Sequence, residues 1–273
     1  MDAPDDVPVD EGVVRLPDGR DLAWSATGPA DGPVVLFLHG STGSRRTAPA
    51  ADGVRVLAYD RPGFGGSTAA PDRTLATDAA DVGALLDAVG AGPVAVLAFS
   101  GGAPVGYELA ALTPARVTRL TVVSGAPRPT EPPPPDELLR TAAAALRADP
   151  DAAVDSLLAG APPADARALA SPRTRERITR GVRDAVAAGI EGWVAEGRLI
   201  RSPWPFAPAD VRVPVALWHG DRDDAVPLHE AQGMVAVLPD AALTVLPDAG
   251  HLGWMARESD GVRAAVAPPD PVA

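Results

Sequence analysis

Nearly unbroken apolar runs of four to six residues recur along the chain: Val34–Leu38, Val54–Tyr59, Val94–Phe99, Thr118–Val123, Val215–Trp218 and Ala242–Leu246. A strand with one wet face alternates apolar and polar positions, whereas a strand covered on both faces is apolar throughout. These runs therefore predict a mostly parallel central sheet with helices on either side. Helical periodicity fills several of the intervals. Thr77–Val89 puts Val82, Leu85, Leu86 and Val89 on one face, with Gly90 as a stop signal. Strand alternating with helix gives an α/β fold with right-handed crossovers. Val13–Leu16 and Asp21–Ser25 flank Pro17-Asp18-Gly19, which predicts an antiparallel N-terminal hairpin at one edge.

The pattern changes after Gly125. Six prolines in Pro127–Pro135 exclude both a helix and a central strand. From Asp136 to about Leu199 only helical periodicity appears. One helix starts at Ser171-Pro172, a cap followed by proline in the first turn, and presents Ile178, Val182 and Val186 before Gly189. Strand pattern returns at Val213. The expected organisation is a disordered acidic segment at 1–11, a core at 12–126 and 207–267, an inserted helical cap at 127–206, and a Pro-rich tail at 268–273. Such a cap is expected to control access and to be removable without unfolding the core.

Composition narrows the function. The 273 residues carry 24 Lys+Arg against 36 Asp+Glu, a net charge of −12, which is the wrong sign for a nucleic-acid partner. No cysteine is present, so disulfide frameworks, thiolate metal sites and cysteine nucleophiles are all excluded. No apolar run approaches the ~20 residues that span a bilayer, and the acidic start is unlike a signal peptide. The expectation is a cytoplasmic protein acting on a small molecule, without membrane or nucleic-acid partners; the oligomeric state is not readable. The four histidines, His39, His219, His229 and His251, lack metal-site spacing, so no metal and no cofactor are expected.

Five local sequences fall where an α/β sheet places its ligands, at the carboxyl ends of strands. Val94–Phe99 runs into Ser100-Gly101-Gly102 and then a helix, with small residues two before (Ala98) and two after (Gly102) the serine. That is a nucleophile elbow, a turn so sharp that its flanks must be small. Leu38-His39-Gly40-Ser41-Thr42-Gly43 opens a strand into a loop whose N–H groups can face an oxyanion. Asp60-Arg61-Pro62-Gly63-Phe64-Gly65-Gly66-Ser67 shapes another loop, with Asp60 and Arg61 read as structural. His219-Gly220-Asp221-Arg222-Asp223 and Gly250-His251 each follow a strand. An imidazole can take a serine proton while a carboxylate fixes its tautomer. The chain order Ser100, Asp223, His251 is nucleophile, acid, base.

Taken together, these motifs resemble the α/β-hydrolase fold with a helical cap, over roughly Val13 to Glu258. The resemblance implies a triad of Ser100, Asp223 and His251, and an oxyanion hole from the backbone N–H groups of Ser41 and Gly101, with Thr42 as the other candidate for the first donor. It implies a serine esterase working through an acyl-enzyme on Ser100. Amide, lactone or carbon–carbon bond cleavage, or a lyase, on the same triad is the alternative; a non-catalytic binding protein is the alternative of another class. Ala98 departs from the usual Gly-x-Ser-x-Gly, the first core helix is expected to be short, and the last is reduced to about Ser259–Val266. Two roles are open for Trp193, Trp204 and Phe206: an acyl pocket or cap-to-core packing. The arginines at 173, 175, 177, 180 and 183 are expected on a solvated helix face, with Glu176 paired to Arg180.

Overall fold

The computed structural model describes residues 9–129, 132–159 and 161–267. Its strands are β1 (Val9–Arg15), β2 (Asp21–Thr27), β3 (Val34–Leu38), β4 (Arg55–Tyr59), β5 (Val94–Phe99), β6 (Val117–Val123), β7 (Val215–Gly220) and β8 (Ala241–Leu246). They form one sheet in the order β1-β2-β4-β3-β5-β6-β7-β8. Both of β2's pairings are antiparallel and those from β4 to β8 are parallel, so β2 alone runs against the rest. The sheet is mostly parallel with an antiparallel N-terminal hairpin.

Helices α1 (Leu75–Ala88) and α2 (Ala103–Leu112) follow β4 and β5. Helix α1 starts ahead of its apolar face because Thr74 caps it, exchanging hydrogen bonds with Thr77. Between β6 and β7 lie α3 (Asp136–Ala148), α4 (Pro150–Ala159), α5 (Pro163–Leu169), α6 (Pro172–Ala187) and α7 (Glu191–Leu199); α8 (Leu228–Val237) and α9 (Glu258–Val266) complete the chain. Only a single 3-10 turn, Arg45–Thr47, stands between β3 and β4.

The continuous apolar runs are explained by two cores. Leu36, Leu38, Val96, Leu120, Val122 and Leu217 face α1, α2 and α8 on one side. Val35, Phe37, Ala95, Leu97 and Val123 face the other, where α9 covers the sheet and Ile178 and Val182 of α6 join the same apolar cluster. Trp204 stacks on Phe206 and packs on Tyr107, with ring centroids 5.2 Å apart in each pair, so these two aromatics pack onto the core. Trp193 packs with Leu139, Ala143 and Val194 between the inserted helices.

Two expectations change. Residues 9–11, expected in a disordered segment, pair with β2, starting at Val9 against Thr27. Their acidic side chains stay exposed while the backbone completes the ladder, and Asp10 meets Arg55 at 2.6 Å. The arginines of α6 at 173, 175, 180 and 183 are exposed as expected, but among the described residues Arg175 pairs with Asp155, Arg183 with Asp151 and Arg177 with Glu258, outwards from the helix, in place of Glu176 with Arg180. They tie α6 to α4 and α9. Residues 1–8 and the tail at 268–273 lie outside the described residues.

Candidate active site

Ser100 sits where β5 turns into α2, at φ 49°. A non-glycine residue in the left-handed region costs about 1–3 kcal/mol, and such strain persists only where the surroundings over-determine it. Here they do. Gly102 has no room for a side chain, since a Cβ would stand 2.5 Å from the Leu38 carbonyl oxygen. Ala98, in place of the usual glycine, fits because the helix opposite it carries Gly106, where even a Cβ would lie only 3.1 Å from the alanine methyl.

His251, after β8, brings its Nε2 to 3.0 Å from Ser100 Oγ. Its Nδ1 lies 2.9 Å from Asp223 Oδ2 and 3.2 Å from Oδ1. An ionised carboxylate only accepts, so Nδ1 carries the hydrogen and Nε2 is left to accept from the serine hydroxyl. The Phe99 ring flanks the imidazole at 5.3 Å and rests in turn on Trp254. Asp223 is buried, and its Oδ1 also accepts the N–H groups of Ala225 (3.1 Å) and Val226 (2.8 Å). Burial pushes its pKa up, but the hydrogen bond and charge of His251 and the Val226 N–H outweigh that, so Asp223 lies below the ordinary carboxylate range. Asp221 and Asp224 are exposed. Behind the acid, His219 donates from Nε2 to the Val226 carbonyl at 2.7 Å and lies 3.4 Å from Asp223 Oδ2.

Ser41 lies directly against Gly101, where a Cβ would collide with its hydroxyl; Thr42 is exposed. The loop bearing Ser41 is held from beneath. Arg61, wholly buried, donates to the carbonyls of His39 (2.5 Å) and Gly40 (3.3 Å). Burial, with Arg61's charge beside it, pushes the His39 pKa well below its ordinary value. Asp60 accepts from the Arg45 and Gly66 amides and pairs with the Arg45 guanidinium, so both loop residues are structural.

The sequence did not reveal what Arg61 pairs with. It is Glu196 of α7, buried at Oε1–Nη2 2.7 Å and Oε2–Nε 3.2 Å, with Arg73 at 3.1 Å on the same carboxylate and Asp78 beyond it. Ser41 Oγ lies 3.4 Å from Glu196 Oε1. Asp165 of α5, also unforeseen, accepts the Leu252 N–H beside His251 at 3.1 Å. An acidic residue on an inserted helix looks the same in sequence whether it is solvated or buried against a partner far along the chain.

Residues 33–256 match the family model described as alpha/beta hydrolase fold. The chain belongs to that family. Among curated relatives of this α/β-hydrolase, a putative non-heme bromoperoxidase of Mycobacterium tuberculosis is 30% identical, the match covering 86% of this chain and 92% of the relative. A pimeloyl-[acyl-carrier protein] methyl ester esterase of Chromobacterium violaceum is also 30% identical, over 85% and 92%. The crystal structure of an enol-lactonase from Burkholderia xenovorans superposes with a TM-score of 0.75 at 21% identity, over 93% of this chain and 98% of that one. That likeness concerns the fold alone. In the described residues no helix is long and apolar enough to cross a membrane.

Proposed function

We propose that this α/β-hydrolase is a serine esterase that cleaves a small or medium-sized ester through an acyl-enzyme on Ser100. The observation carrying this is the continuous relay from Ser100 Oγ through His251 to Asp223, at 3.0 and 2.9 Å. Ser100 Oγ attacks the acyl carbon as His251 Nε2 takes its proton, and Asp223 stabilises the imidazolium without being protonated. The developing oxyanion accepts from the Gly101 N–H and from the N–H of Ser41 or its neighbour Thr42. His251 returns the proton to the alkoxide, which leaves as an alcohol. Water then adds to the acyl-enzyme, giving up a proton to His251, which passes it to Ser100 Oγ as the intermediate collapses and the carboxylic acid leaves. The cycle balances without a cofactor or metal. That the Chromobacterium violaceum relative is named as a methyl ester esterase supports an ester as the bond cleaved. The five inserted helices act as a cap over the site.

The test is covalent labelling by a fluorophosphonate together with turnover of p-nitrophenyl esters of rising chain length. We expect stoichiometric labelling at Ser100, with both labelling and turnover lost in Ser100→Ala. Labelling at another serine, or full activity in Ser100→Ala, overturns the proposal.

A further inference from the structure

Apart from Asp223, a second carboxylate reaches the histidine turn, and it comes from the insertion. Asp165 on α5 is 2% exposed. Its Oδ2 accepts the Leu252 N–H at 3.1 Å, and the Gly250 N–H is directed at the same carboxylate. A Cβ on Gly250 would stand 2.6 Å from both carboxylate oxygens, so Asp165 occupies the place a side chain there would need. The two amides it holds belong to the residues immediately before and after His251. Its other oxygen, Oδ1, has no hydrogen-bond partner among the described residues. Burial raises the Asp165 pKa above the ordinary carboxylate value, against the pull of the Leu252 and Gly250 N–H groups and the His251 charge, and the Asp223 charge adds to the rise; His219 stands behind Asp223.

We propose that Asp165 is a positioning residue for His251, clamping the backbone on both sides of the imidazole. The inference rests on the esterase mechanism above, in which that imidazole moves a proton at each acyl-transfer step. One consequence separates this role from simple packing. A clamp sets the angle of the ring between Ser100 and Asp223, so its loss lowers kcat more than it raises KM, and a side chain that keeps an acceptor oxygen in the same place restores kcat.

The experiment uses the full chain with Asp165→Asn and Asp165→Ala, a separate portion of each protein first being tested for fluorophosphonate labelling at Ser100. Loss of labelling in the wild-type protein itself would refute the mechanism rather than the role of Asp165. With labelling intact, kcat and KM are measured for each protein. In Asp165→Asn, whose side-chain oxygen still accepts an N–H, kcat should stay within a few-fold of wild type. In Asp165→Ala, which leaves both amides unheld, kcat should fall roughly ten- to hundredfold, the scale of an ångström-level misplacement, at little-changed KM. If Asp165→Ala does not fold, Asp165→Ser, too short to reach both amides, decides by the same fall. Wild-type kcat in a folded variant without the acceptor, even at a lowered melting temperature, overturns the proposal.

Discussion

Asp223 accepts from His251 Nδ1 and from two backbone amides, and no other carboxylate of its loop is buried. Because its pKa is depressed in the fold, the stability it confers is present above the ordinary carboxylate pKa and is lost as pH falls through the depressed value. Across the neutral range it therefore stays charged. Loss of kcat/KM on acidification then reports protonation of the base, and a flat profile from about pH 5 to about pH 8 would count against His251 in that role. Replacing the acid itself is the sharper test. Asp223→Asn keeps the shape but donates where an acceptor is needed, stabilising the wrong tautomer. Steady-state kinetics should show kcat lower by ~10⁴ with the fold preserved. Asp221→Asn and Asp224→Asn, both exposed, should stay close to wild type. A crippled Asp224→Asn beside an active Asp223→Asn would move the acid by one residue.

Helix α2 carries the elbow and also a group that the chemistry does not use. Glu108 is buried with both carboxylate oxygens unpartnered among the described residues. Burial, reinforced by the charge of Asp78, pushes its pKa from 4.5 to about 8. A folded-state pKa above the unfolded one means that stability is greatest below pH 4.5 and declines as pH rises through about 8. Denaturant unfolding at several pH values should show wild type losing stability towards alkaline pH more steeply than Glu108→Gln. Equal slopes would mean that Glu108 titrates normally. The elements themselves divide by how local their causes are. Strands β3 to β7 were legible because burial on both faces leaves an apolar run, and the elbow because its spacing is local. The start of β1 was not, since Asp10 and Glu11 read as solvated and they are; the backbone ladder makes the strand, and Asp10 meets Arg55 from its exposed side. Ala98 read as a departure, and its tolerance becomes visible only with Gly106 opposite. Asp165 and Glu196 meet partners that the fold alone brings near.

The inserted helices are fastened to the core by charge and by backbone. Glu196 pairs with Arg61 and Arg73, and Asp78 supplies the second negative charge, all four side chains being buried. Gly192 of α7 meets Gly63 so closely that a Cβ on either would collide with the other's backbone. The Gly65 N–H donates to the Asp184 carbonyl at 3.0 Å, and Asp165 holds the histidine turn. The oxyanion loop and the base are thus each supported by a carboxylate from the insertion. A cap that could be cut away cleanly would leave a polar, self-satisfied core surface behind. Here excision of 127–206 would leave the Arg61 guanidinium with only the His39 and Gly40 carbonyls as acceptors, and Arg73 with Asp78 alone. Removing one partner of a buried pair costs about 3–5 kcal/mol, a large part of a domain's net stability of about 5–15 kcal/mol. These contacts argue against the expectation that the cap can be removed with the core still foldable, and excision tests it. Replacing 127–206 by a short linker should give a protein that is insoluble or melts far below wild type. Glu196→Ala in the full chain should lose about 3–5 kcal/mol in denaturant unfolding, and Arg61→Met in the excised chain should recover part of the loss by removing the stranded charge. A cooperatively folded excised core of near wild-type stability would show that the ion cluster relaxes into solvent, and that the insertion is only laid upon the site.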